Sequence, residues 1–155
     1  MRRLMFPLML LLAATPASAQ HASAEDSAAV LATVDALFAA LGAKDGAAML
    51  ALTAPEGVAT ASFTDETGEA RIVSRSWADF AGRLAAIEGT PAERAIDPHV
   101  HVDGDIAMVW TAYEFTFDGR FSHCGIDHFD LVRREGRWRV LNLTWTRRTE
   151  GCGRE

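Results

Sequence analysis

Cysteine is nearly absent from this chain: Cys124 and Cys152 are the only two. They make no CxxC pair, which excludes a thioredoxin-like redox motif. Tyrosine is scarcer still, with Tyr113 alone. No phosphate loop, dinucleotide fingerprint, zinc-protease motif or nucleophile elbow occurs, so the nucleotide and hydrolase chemistries that those motifs serve have no local support. Basic stripes are missing too. The formal net charge is -6, and the pairs Arg133-Arg134 and Arg147-Arg148 lie at strand ends. Nucleic acid and anionic lipid are therefore poor partners. No internal repeat and no low-complexity linker interrupts the chain.

What is present begins with a leader. Arg2 and Arg3 form a basic head, Leu4–Ala14 is nearly all apolar, and Ala17-Ser18-Ala19 ends the stretch with small residues. That is a secretory signal pattern, too short for the ~20 residues of a membrane span. The expected organisation is a signal peptide over 1–19 and one domain over 20–155, in a periplasmic or secreted protein with no membrane contact after cleavage. Export makes a disulfide permissible. A Cys124–Cys152 bridge would pin the Gly-flanked tail to the sheet; the alternative is a buried Cys124 and a free Cys152.

Apolar residues Val30, Leu31, Val34, Leu37, Phe38 and Leu41 recur at helical spacing over Glu25–Leu41. Asp45 caps a short second helix through Leu52. Val58–Phe63 and a stretch through Val73 read as strands. Ser76, with Asp79 three residues on, starts a helix carrying Trp77, Phe80, Leu84 and Ile87 on one side. From Ala95 onward, alternating runs broken at Asp103-Gly104, Asp118-Gly119 and Glu135-Gly136 read as an antiparallel meander.

Two-residue turns at those three points set Trp110 opposite Asp127, Asp127 opposite Thr144, Phe129 opposite Asn142 and His99 opposite Met108. The register predicts a pocket face with Asp127 at its centre as general base or ligand anchor, lined by Trp110, Phe129, Asn142, His99 and Met108. A mid-strand carboxylate of this kind is either hydrogen-bonded or raised in pKa. Val109, Thr111, Tyr113, Phe115, His128, Leu143 and Trp145 fall on the other face, and His128 with Tyr113 become the candidates if that face lines the cavity. A one-residue slip exchanges the lists. His99 and His101 point the same way, but the pairing does not bring His123 beside them, so no metal site is expected. Glu114 and His123 read as a cross-strand polar pair.

The helix order and the run Asp127, Arg133, Gly136, Trp138, Val140, continuing to Trp145, resemble the nuclear-transport-factor-like superfamily over about residues 25–148. That superfamily includes ketosteroid isomerase, scytalone dehydratase and polyketide-cyclase-like proteins. The resemblance implies an α+β fold in which N-terminal helices pack against a strongly curved mixed or antiparallel sheet forming a cone, a cystatin-like roll with a pocket inside and often a homodimer. Its isomerases use an Asp base with a Tyr/Asp oxyanion site. Those residues find no one-to-one match here, and no catalytic role is carried over. The expected function is an exported protein binding a small apolar or aromatic molecule without a cofactor. The alternatives are a cofactor-free isomerase, dehydratase or cyclase with Asp127 as base, and a dimerisation module joined through the outer sheet face.

Overall fold

The computed structural model describes residues 23–153; the leader expected over 1–19 lies outside them. Ser23 caps helix α1 (Ala24–Gly42), its hydroxyl accepting from the Asp26 amide at 2.9 Å. Asp45 caps α2 (Gly46–Leu52) in the same way through the Ala48 amide. Ser76 caps α3 (Trp77–Arg83), where it accepts from the Asp79 amide, and a 3-10 turn, Leu84–Ala86, completes that segment. In each case a short polar side chain satisfies an amide that the first helical turn leaves unpaired.

Six strands follow the order β1 (Val58–Thr64), β2 (Ala70–Ser76), β3 (Pro91–Asp103), β4 (Ile106–Phe117), β5 (Arg120–Arg134) and β6 (Arg137–Arg147). They form one mixed sheet, β2-β1-β6-β5-β4-β3, in which only β1 and β6 run parallel. The expected cone does not form. β2 and β3 stand at opposite edges without pairing, so the sheet is open rather than closed on itself. The interior is sealed instead by helices on one face. Val30, Val34, Leu37, Phe38 and Leu41 of α1 pack with Val109, Phe129, Leu131, Val140 and Leu143 of the sheet. The Phe38 and Phe129 rings meet edge to face, 5.8 Å apart.

Three irregularities decide which side chains face that interior. On β3 the register shifts between Ile96 and His99, at Asp97-Pro98, where proline has no amide to give the ladder. The Thr111 hydroxyl fills the gap, accepting from the Ile96 amide at 3.1 Å. On β5 a shift between Phe115 and Thr116 of the partner strand leaves Ser122 as the extra residue. On β6 the extra residue is Leu141, whose carbonyl accepts from the Trp77 indole at 2.8 Å. Each one-residue bulge moves the side chains beyond it to the opposite face.

Candidate functional site

Beyond the Ser122 bulge, Asp127 pairs with Thr111 on β4, and beyond the Leu141 bulge with Trp145 on β6. The side chain therefore points to the helices, among Thr111, Tyr113, Phe129 and Leu143. Beyond the Asp97-Pro98 bulge, Glu93 pairs with Phe115 and turns to the same side. Without that bulge Glu93 would share a face with His99 and His101.

Asp127 has no accessible surface. Neither of its oxygens receives a hydrogen bond from an N–H or hydroxyl among the described residues. The polar group that it meets is a second carboxyl, Glu93. Burial pushes Asp127 up to about 7, while the bond with Glu93 pulls the other way. Burial, and then the Asp127 charge, push Glu93 well above the carboxylate range. Two ionised carboxylates in a poorly solvated interior repel strongly; a pair holding one proton becomes an O–H···O⁻ hydrogen bond. That proton gives the Asp127 oxygens the donor that the rest of the interior withholds.

A cavity of about 220 Å³ lies beside the pair. Its walls include Phe63, Phe80, Phe115 and Trp145, with Glu93, Tyr113, His123 and Arg147 as the polar groups. The Phe80 and Trp145 rings meet edge to face at 6.2 Å. Glu93 reaches the cavity surface; Asp127 is not part of the lining and stands behind it. Glu93 also borders a groove of about 500 Å³ between α1 and β3, lined by Leu31, Asp35, Phe38 and Pro98 among others.

Tyr113 gives its hydroxyl to the Thr146 carbonyl at 2.8 Å. Burial, then Glu93 and Asp127, raise its pKa, so it stays protonated. His123 is stacked on Phe115 with 4.6 Å between centroids, and Ser122 Oγ lies 2.9 Å from its Nδ1. Burial, and then the charge of Arg147, pull His123 down to about 4, so the imidazole is neutral at pH 7. Cys124 and Cys152 are joined by a disulfide. Mutual backbone bonds between Cys124 and Arg148, both 2.9 Å, tie the end of β6 to β5.

Of the residues singled out in the sequence, the structure brings Asp127 and Phe129 together in the interior. It does not bring Trp110, His99, Met108 or Asn142 to them. Trp110 pairs with His128 and His99, and is 48% exposed on the outer face. Met108 pairs with His101 on that same face. Asn142 accepts from the Val58 amide at 3.2 Å and donates to Asp130 at 3.4 Å. The two bulges in β5 and β6 are the cause, since tight-turn counting contains no extra residue. Tyr113 and Trp145, assigned to the opposite face, belong with Asp127. His128 does not; it faces outward toward Asp130, 3.6 Å away. Glu93 was missed altogether. The signal that could have found it is Asp97-Pro98, a ladder break that reverses the face of every earlier β3 residue. No group of three or more metal-ligating side chains occurs among the described residues.

A family model described as "Putative lumazine-binding" matches residues 25–146. Among solved structures, an NTF2-like protein of unknown function from Silicibacter pomeroyi is 24% identical. The match covers 81% of this chain and 98% of that one, with a TM-score of 0.61. A protein of unknown function with a cystatin-like fold from Nostoc punctiforme is 11% identical over 84% of this chain and 97% of its own, at a TM-score of 0.68. A structure titled a putative dehydratase of the NTF2-like family, from Streptomyces avermitilis, is 17% identical over 80% and 96%, at 0.63. The fold is that of the nuclear-transport-factor-like superfamily. No curated protein matches the chain.

Proposed function

The chain belongs to the family described as "Putative lumazine-binding", and from that premise we propose that it is an exported small-molecule-binding protein. Its ligand is a planar ring system no larger than two fused rings. The observation that carries this reading is a carboxyl pair, Glu93 and Asp127, buried at the wall of an aromatic cavity. A volume of about 220 Å³ falls below the ~300–1,000 Å³ of sites for drug-sized ligands. Phe63, Phe80, Phe115 and Trp145 offer ring contacts. With one proton between two carboxyls, Glu93 serves as donor to a ring carbonyl or acceptor from a ring N–H. A lactam or imide edge, as in a pteridinedione, matches that capacity.

Export is supported by the leader pattern and by a disulfide suited to an oxidising compartment. A homodimer through the outer sheet face is supported by the exposure of Trp110 at 48% and Ile106 at 61%. Among the described residues no helix is long and apolar enough to cross a membrane.

The test is titration of the mature protein with lumazine, followed by Trp fluorescence and calorimetry. The reading expects saturable one-to-one binding that Glu93→Leu weakens at least tenfold. Absence of saturation, or equal affinity in the variant, contradicts it.

A second reading, a cofactor-free acid–base enzyme, is favoured by one observation: Asp127 is raised to about 7, near the operating pH of a general base. In that reading the group touching substrate is Glu93. Asp127 stands behind it as a positioning residue that holds or returns the shared proton.

A further inference from the structure

The cavity is acidic at one wall and basic at its rim. Arg147 is the only lysine or arginine among the described residues that line it. It is solvent-exposed, at the end of β6, in parallel register with Phe63 of β1. No acidic side chain among the described residues pairs with it. Asp65 and Glu66 border the outer recess that Arg147 also lines, but Asp65 is committed to Arg71 at 2.6 Å and to Thr67 at 2.6 Å. The backbone beside Arg147 is held at two points. Arg148 exchanges both backbone bonds with Cys124, and Cys124 is bridged to Cys152. The guanidinium therefore hangs from a fixed strand end at the cavity rim. Its charge reaches inward, where it helps keep His123 neutral.

We propose that Arg147 receives an anionic substituent of the ligand, so that the molecule bound is a ring-bearing carboxylate or similar organic anion, ring inward and charge at the rim. The inference rests on the binding reading above and adds the polarity of the ligand to it. The arrangement gives each part of such a molecule a counterpart. Phe80, Phe115 and Trp145 take the ring, Glu93 faces its inner edge, and the unpaired guanidinium takes the charge without being fully desolvated. An anion placed the other way round would meet the Glu93–Asp127 pair and be repelled.

The experiment compares 2-naphthoate with its neutral isostere 2-naphthamide by calorimetry, at pH 7.5 and low salt. The proteins are the mature wild type, Arg147→Gln and Arg147→Lys. Wild type is expected to prefer the carboxylate by about tenfold, the scale of one charge-assisted hydrogen bond. Arg147→Gln should lose that preference while keeping its affinity for the amide, and Arg147→Lys should retain part of it. Equal affinity for both ligands in wild type, or an undiminished preference in Arg147→Gln, overturns this inference and leaves the binding reading standing. Binding of neither ligand also overturns this inference, and the lumazine titration alone then decides the binding reading.

Discussion

Glu93 and Asp127 interact from β3 and β5, strands separated by the whole of β4. Side chains two strands apart in a sheet meet only when both project from one face and reach inward over the strand between. Thr111, Tyr113 and Phe115 are the β4 residues that lie between them on that face, and the long Glu93 side chain spans the distance. The contact makes two acids into one proton-holding unit. Its ionisation belongs to the pair and not to either residue.

Stability should fall as pH rises from about 4 through about 7. A carboxyl raised to about 7 in the folded protein binds more protons folded than unfolded. Stability contributed by its protonated form is full below its unfolded pKa and is lost as pH climbs through the folded value. Glu93 acts in the same direction. His123, lowered to about 4, acts oppositely, but only between about 4 and 6.5. Urea midpoints measured from pH 4 to 9 should therefore decline up to about pH 7, most steeply once the opposing His123 contribution has ended near 6.5. Asp127→Asn should flatten that decline, and an unchanged slope would count against the pair.

Gly125→Ala should destabilise by about 3 kcal/mol through overpacking. A Cβ there would stand 1.8 Å from the Thr146 carbonyl oxygen and 2.7 Å from Tyr113 Cε1. The same carbonyl accepts the Tyr113 hydroxyl, so the bare backbone at 125 is what lets the tyrosine ring lie beside Asp127. Chemical denaturation checks the loss, and a change under 1 kcal/mol would contradict the packing described.

Breaking the Cys124–Cys152 bridge should cost about 2–4 kcal/mol, as expected for a crosslink of moderate loop length. The sequence separation is 28 residues. Cys152→Ala and reduction of the wild type with dithiothreitol should give matching midpoints, since either leaves the tail untethered. A variant as stable as oxidised wild type would show that the bridge contributes nothing.

Trp110→Glu should convert a dimer to a monomer with little change in melting temperature. The side chain is 48% exposed on a face that no helix among the described residues covers, so its replacement leaves the core intact. Sedimentation velocity decides it. A wild-type protein that sediments as a monomer at high concentration would remove the outer-face dimer.

The helices were legible because their apolar periodicity and their caps, Ser76 above all, are local signals. So were the hairpin turns at Asp118-Gly119 and Glu135-Gly136, where Asp118 and Glu135 adopt positive φ. The burial of Asp127 was expected on the wrong neighbours. Ser122 and Leu141 are ordinary strand residues, and nothing in their chemistry marks them as the extra ones. They become bulges because the helix-facing side must gather Tyr113, Phe129 and Trp145 together, a tertiary demand that strand alternation does not encode. The open sheet was likewise out of reach, because closure depends on whether β2 and β3 meet. Asp97-Pro98 was readable, and reading it would have turned Glu93 inward.

The most direct test of the account is the titration of the Glu93 and Asp127 carboxyl carbons by ¹³C NMR between pH 3 and 9. The account predicts that one carboxyl of the pair is still protonated at pH 6, that the two chemical shifts change together, and that Asp127→Asn alters the Glu93 curve. Two independent titrations near pH 4 would contradict it.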